Sequence, residues 1–467
     1  MVVALDDAPP LSKLTKYPYG SLREVVFLSL PIMLVLLSGS LFGFTERIIL
    51  AKYSLDAMEG LVSVLYLCRL FQLPCMGVAL FGQAFVASYV GAKQFDRIGG
   101  CIWQLIWFSF LSLAVTLPMS WIVGPIFFEG TPVEEAGLKY FYLLAIVNFL
   151  YPLGSALSSF YLGRGKATYI VATTLIAHIL NLLLDVIFVL GIKDFIPPLG
   201  IQGAAIATIL VQGIFCAILF VLFMKKSHRD LYGIANWKFK PLECWSYIKV
   251  GLSRAVGKII MLGIGTVTIH VMTAKGGTHL MVLSIGASIV VFFSFIGDGI
   301  YQAMLTLVSH LIGSNQFHLR YKLLNAAFRF LVILALILMF PLLLFPDFLL
   351  GFFFPEPLQG ELRQTLHTTL HWVWFHMMGY ISVSIFLGFI LSLKDSFYYL
   401  IVVSLTTFTS LIPIYMAINH WNWSPDKFWA ITGVEGLLLS LLYFVRLLHP
   451  KWNTFSLTAV PRIEGFK

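Results

Sequence analysis

The chain has 467 residues, of which 59% are hydrophobic and only 11% charged, with a mean hydropathy of +0.89. Such a composition excludes a water-facing globular exterior, and its repeated apolar runs of about 20 residues suit helices crossing a hydrocarbon layer roughly 30 Å thick, not the weak alternation of a β-barrel. The net charge of +9 is no nucleic-acid footprint, because the bases gather in every second connection between apolar runs.

In chain order, spans are expected near residues 26–51, 60–90, 101–127, 138–162, 169–191 and 201–224, then 248–273, 279–311, 324–353, 367–391, 397–418 and 429–446. The first run is too long for a signal-peptide core and has no small-residue cleavage site after it, so it reads as a retained first span. Lys93 and Arg97, Arg164 and Lys166, the stretch from Lys225 to Lys240, Arg320 and Lys322, and Lys394 fall on one side; Glu129, Glu134, Glu135 and Glu361 fall on the other. The positive-inside rule then places both termini in the cytoplasm and requires an even number of spans. Cys68, Cys75, Cys101, Cys216 and Cys244 are odd in number and mostly within apolar runs, which suits free thiols packed as small hydrophobes.

The fold class expected is all-α integral membrane, about twelve transmembrane helices in two pseudo-symmetric six-helix bundles. At a shift of 222 residues, Gly77, Val78, Val86, Gly91, Gln94 and Phe95 recur as Gly299, Ile300, Val308, Gly313, Gln316 and Phe317 (299 − 77 = 222). Six spans per copy put both copies on the membrane in the same sense, a parallel repeat of the kind whose halves rock to expose a site alternately. The organisation expected is residues 1–224 as an N-terminal six-helix bundle, 225–247 as a basic cytoplasmic linker, and 248–467 as a C-terminal bundle with a short cytoplasmic tail.

Chemistry is sought among ionisable groups at bilayer depth, where a charge costs roughly 2.5–3.5 kcal/mol on insertion scales. Asp185 follows Asn181 by four residues in NLLLD, which puts both on one helix face. Glu46 and Thr208 fall at a similar depth, so a carboxyl, an amide and a hydroxyl there could converge on a proton or small cation. The plainer readings are that Glu46 neutralises Arg47 or Arg69 and that Asn181 and Asp185 are interhelical hydrogen-bond glue. Arg69, Tyr380, Asp298, Glu435 and Met261 are candidates to line a substrate cavity. His270, His310, His371 and His376 are potential relays, each more simply read as a satisfied core or interfacial histidine. No metal-ligand spacing, nucleophile elbow, dinucleotide fingerprint or complete phosphate loop occurs, so an enzyme, a resident metal and ATP drive are all unsupported.

In order and spacing, several segments resemble the multidrug and toxic compound extrusion (MATE) family of the multidrug, lipid and polysaccharide exporter superfamily. They are LSLPIM through GFTERIILAKYSLDAM, GQAFVASYVGAKQF, YLGRGKATYIVATTLIAHILNLLLDVIFVLG, GIQGAAIATILVQ and GIYQAMLTLVSHLIGSNQF, and they span nearly the whole chain. The resemblance implies a V-shaped pair of six-helix bundles exporting small organic compounds in exchange for protons or sodium ions, with no cofactor. It also implies that Asn181, Asp185 and Thr208 match the family's polar cluster, and that Glu46 stands where aspartate is usual. Met261 and Tyr380 stand where many or some members carry an acid, which favours coupling through the first bundle.

The function expected is therefore a secondary antiporter for amphipathic organic compounds in a bacterial-type inner membrane, its partners being the small substrate and the lipid bilayer, with no nucleic acid and no obligate protein. Arg47, Arg69, Arg254 and Lys258 keep open a flippase for a lipid-linked or polysaccharide precursor. A non-transporting membrane scaffold is the third reading; it would lack a polar layer around Asp185.

Overall fold

The computed structural model describes residues 13–130, 134–193, 195–354, 359–421 and 423–449; side chains within a few helical stretches, His270 among them, lie outside the description. The described residues are almost entirely helical. The first expected span is α1 (Leu22–Tyr53), the second α2 and α3 (Leu55–Leu80 and Gly82–Gly91), the third α4 and α5 (Asp96–Leu111 and Leu113–Phe128), and the fourth α6 and α7 (Glu134–Ile146 and Leu150–Gly163). The fifth and sixth are α8 (Ala167–Val189) and α9 (Ile201–Phe223), followed by a short α10 (Lys226–Tyr232). The second half comprises α11 (Pro241–Lys275), α12 (Gly277–Gly313), α13 (Arg320–Met339), α14 (Pro346–Leu350), α15 (Gly360–Ser392), α16 (Ser396–Asn419) and α17 (Lys427–Leu447).

Each of the twelve expected positions falls on helix, although fewer qualify outright as spans. Among the described residues ten helices are long and apolar enough to cross a membrane, and an eleventh is the pair α6–α7, bent by 45°. Pro152, in the first turn of α7, accounts for that bend: it has no N–H, and its ring would strike the carbonyl four residues back in a continuous helix. The ninth span ends in a π-helical turn over Phe340–Leu344 that contains Pro341, a wider turn that relieves the same conflict.

The described residues fall into two compact units, 13–14 with 34–255 in one and 15–33 with 256–449 in the other. Of the three boundaries, two fall inside continuous helices, α1 and α11, and these lie 222 residues apart (255 − 33), the same shift as the sequence repeat. A shared turn repeats the relation. The Gln94 N–H bonds the Tyr89 carbonyl at 2.9 Å and the Gln316 N–H bonds that of Leu311 at 2.8 Å, with Lys93 at φ 58° and Asn315 at φ 57°. The fourth and tenth spans end alike, Gly165 (φ 71°) and Lys394 (φ 58°) occupying the left-handed position.

In the first unit, an apolar plug of Ile49, Leu50, Leu67, Phe128, Tyr140, Phe141, Val189 and Ala204 gathers the ends of α1, α5 and α8 and the start of α9. There α9 lies so close to α8 that a Cβ at Gly203 would collide with the Phe188 backbone. The basic stretch after α9 is bound to this unit. The indoles of Trp103 and Trp107 donate to the carbonyls of Ile234 and Trp237, both at 2.8 Å, and the Gln104 amide both donates to the Lys238 carbonyl and accepts from the Lys240 N–H at 2.9 Å. Arg164 lies over the rings of Phe160 and Tyr232 at 4.6 and 4.4 Å. In the second unit, α15 packs against both α12 and α17, helped by Gly379 facing Gly433 and Gly436 backbone to backbone.

Candidate functional site

The stripe of buried residues along α8 is Ile170, Thr173, Ala177, Asn181, Asp185 and Val189. Its spacing of three and four keeps one face inward, and that face ends in an amide and a carboxyl. The Asn181 Nδ2 donates to Asp185 Oδ2 at 2.7 Å. Asp185 is wholly buried, and its Oδ1 accepts no hydrogen bond among the described residues. On the neighbouring α9, the Thr208 hydroxyl is likewise buried without a partner. A buried polar atom left unpaired costs about 1–3 kcal/mol; the first unit has others, including Gln83, Thr116 and Asn148, and what sets this place apart is a wholly buried carboxyl among them.

Glu46, one turn before the plug residues Ile49 and Leu50 on α1, is 5% exposed and interacts electrostatically with Asp185. Arg69 and Arg47 act on Glu46 through space; neither forms an ion pair with it among the described residues, and both guanidinium side chains are exposed. Two buried carboxyls, within electrostatic reach of one another, therefore lie next to the apolar plug along α1 and α8. Away from water two neighbouring anions repel strongly.

Two further side chains join this layer. Tyr140 of α6 is fully buried, its hydroxyl has no hydrogen-bond partner, and it lies within electrostatic reach of both Glu46 and Asp185. His178 of α8 stacks on Phe42 of α1, ring centroids 5.0 Å apart and planes 11° from parallel. Phe42 precedes Glu46 by four residues and His178 precedes Asn181 by three, so the stack lies next to the acidic layer along both helices. Tyr140 sits in a YFY triplet, where nothing in the sequence separates a buried hydroxyl from an interfacial one. His178 carried a usable signal, its position on the Asn181 face.

The cavity candidates are dispersed. Arg69 belongs to the first unit; Met261, Asp298, Tyr380 and Glu435 belong to the second. Met261 is exposed, Asp298 is half-buried beside Gly297, and Gly297 packs against the Tyr380 ring. Glu435 of α17 is half-buried beside Ser410 and Thr407 of α16. At the repeat shift of the first span, Glu46 corresponds to Thr268 (46 + 222), which is buried. A hydroxyl thus stands in the second copy where the first has the Glu46 carboxyl. His376 presents a buried Nδ1 without a partner and lies edge-on to Trp429, whereas His371 is exposed. Among the described residues no cluster of three or more His, Cys, Asp or Glu is arranged to hold a metal ion.

The MatE family model matches residues 31–187 and 255–416, one segment in each half of the repeat. A probable multidrug resistance protein NorM from Thermotoga maritima is 23% identical over 244 residues, 51% of this chain and 52% of that one; the chain spans about half the length of the curated relatives it matches. The outward-facing structure of a multidrug resistance MATE family transporter of the MOP superfamily superposes with a TM-score of 0.76 at 17% identity, covering 91% of this chain and 94% of that one. A MOP superfamily transporter from Pyrococcus furiosus, described as having a binding pocket of reverse polarity that suggests a different function, gives a TM-score of 0.75 at 17% identity over 91% and 94% of the two chains. The likeness to these structures is one of fold. With matched segments covering more than half its length, the chain is an integral, multi-pass membrane protein that belongs to the MatE family.

Proposed function

We propose that this chain is a secondary transporter that exports amphipathic organic compounds in exchange for protons or sodium ions. The observation that carries the proposal is the buried Asp185, held by Asn181 on one oxygen and unsatisfied on the other, beside Glu46. Asp185 takes the ion, Asn181 fixes its orientation, and Glu46, Thr208 and Tyr140 supply the remaining oxygens. Loading this layer changes the charge next to the plug, alters helix packing in the first unit, and drives an alternating-access cycle that releases substrate to the outside. A membrane potential of about 150 mV is worth roughly 3.5 kcal/mol per charge moved across it, enough to bias such a cycle several hundredfold. The membrane is a bacterial-type inner membrane with both termini cytoplasmic, and no resident cofactor is required.

The test is efflux of a dye panel from proteoliposomes under imposed pH or sodium gradients. Asp185→Asn keeps the shape and removes the charge; it is expected to abolish gradient-driven efflux while leaving the unfolding midpoint within a few degrees of wild type. Efflux at the wild-type rate would refute the assignment. The exposed Arg69, which forms no ion pair among the described residues, supports a second reading, a flippase for an anionic lipid-linked precursor. Under it, Arg69→Gln removes translocation of the anionic lipid and leaves cationic dye efflux absent from the start.

A further inference from the structure

A feature outside the acidic layer occupies the opposite half of the repeat, where α15 begins. This helix of 33 residues is about 50 Å long at 1.5 Å per residue, against a hydrocarbon layer of roughly 30 Å. Its first turns therefore extend into the headgroup region. There an open groove of about 540 Å³ is lined by Arg363, Gln364, His367, Thr368 and His371. It adjoins a second groove of about 360 Å³, lined by Leu343, Trp372, Trp374 and Phe375, and the two share Thr368 and His371. One groove is polar and the other apolar, in continuous sequence along one helix.

The charges of the polar groove are balanced in a particular way. Asp347 of α14 accepts two bonds from Arg363, Nη2 to Oδ2 at 2.6 Å and Nε to Oδ1 at 3.2 Å, and a third contact from His367 Nε2 at 2.7 Å. This leaves Arg363 Nη1, His367 Nδ1 and the exposed His371 imidazole outside the ion pair, while the half-exposed Asp347 carboxylate keeps lone pairs to spare. The site thus offers donors and a carboxylate side by side, with the formal charges of Asp347 and Arg363 cancelling. A net anion would leave one charge unbalanced; a headgroup that itself carries a phosphate and an ammonium would not.

We propose that this groove is a binding site for one phospholipid with a zwitterionic ethanolamine headgroup. The phosphate accepts from Arg363 and His371, the ammonium donates to Asp347 and the Gln364 side-chain oxygen, and an acyl chain lies along Leu343, Trp374 and Phe375. A choline headgroup has no N–H and cannot bond Asp347, so the site distinguishes the two zwitterions. The indole N–H groups of Trp372 and Trp374 donate to Asp426 Oδ2 at 3.1 Å and to the Ala335 carbonyl at 3.0 Å, which fixes the wall of the apolar groove. The site is independent of the ion layer in the first unit and of the direction of transport.

The experiment counts lipids retained by the detergent-purified full chain in native mass spectrometry. Dioleoyl phosphatidylethanolamine, phosphatidylcholine and phosphatidylglycerol are titrated at equal concentration. Wild type is expected to retain one ethanolamine lipid about tenfold more tightly than the choline lipid, the ratio appropriate to one charge-assisted hydrogen bond. Asp347→Asn, isosteric and exposed, brings the two within about twofold, and Arg363→Gln weakens all three. Equal retention of ethanolamine and choline lipids by wild type, or undiminished discrimination in Asp347→Asn, overturns the proposal. So does displacement by millimolar inorganic phosphate alone, which would mark a phosphate site with no need of the chain. Trp374→Phe supplies a second check, since it is expected to weaken dioleoyl lipids while leaving soluble glycerophosphoethanolamine unaffected; equal loss of both would refute the placement of the acyl chain.

Discussion

Replacing Tyr140 by phenylalanine separates packing from function at the acidic layer. The ring is fully buried in the apolar plug, so the substitution preserves nearly all its packing, and the lost hydroxyl makes no hydrogen bond. An unpaired buried polar group costs about 1–3 kcal/mol, which Tyr140→Phe removes. The variant should therefore be as stable as wild type or up to that much more stable, read as the midpoint of thermal unfolding in detergent with no transported ion present. Transport should move the other way. If the hydroxyl completes the shell around an ion held by Asp185 and Glu46, its loss removes one hydrogen bond to a charged partner, about 1.5–3 kcal/mol, or ten- to a hundredfold in apparent ion affinity. The assay measures efflux from proteoliposomes against the concentration of the driving ion, so that a raised midpoint is separated from a lowered maximum rate. Destabilisation by more than about 1 kcal/mol with an unchanged ion dependence would refute the reasoning, because Tyr140 would then be an ordinary plug residue.

Other expectations concern stability. Lys93, Asn315 and Lys394 occupy left-handed turns, a conformation that costs an L-residue about 1–2 kcal/mol, so glycine at Lys93 or Lys394 should raise the unfolding midpoint and alanine at Gly165 should lower it. Asp347 is held by Arg363 and His367 well below the ordinary carboxyl value of 3.8, at about 2. Because the folded state lowers that value, the ion pair contributes fully at pH values above the unfolded carboxyl range and is lost as pH falls through about 2. Melting curves of wild type and Asp347→Asn should accordingly differ near neutrality and converge by pH 2; a constant difference would show that the pair does not titrate. Gln104→Ala removes both bonds that tie residues 238–240 to α4 and should expose the stretch around Lys238 to trypsin at least several-fold faster, with little change if the tryptophan contacts alone hold it.

Helix positions were readable because long apolar runs leave few alternatives, and Asn181 with Asp185 because a four-residue spacing leaves two side chains on one face whatever surrounds them. Glu46 was readable for the same reason in reverse, as an acid inside an apolar run. Less was visible where tertiary contact decides. The docking of residues 234–240 depends on indole N–H groups of Trp103 and Trp107, which in sequence are simply large apolar residues of a span. The bend at Pro152 and the continuity of α1 through Pro31 and of α16 through Pro413 follow the same local signal with opposite outcomes, set by whether neighbouring helices accommodate the missing bond. The transfer of α1 and α11 from one unit to the other happens within unbroken helix, at residues with nothing distinctive about them.

That transfer has an evolutionary implication. In both copies the opening helix begins in the unit built mostly by the other copy, so neither half, translated alone, holds a complete unit. Two identical polypeptides that swapped their leading turns would satisfy one another reciprocally, and fusing their genes would leave this pattern behind. Splitting the chain between Tyr232 and Pro241 and co-expressing the fragments should then restore a working pair, whereas either fragment alone should misfold or form a dimer of its own.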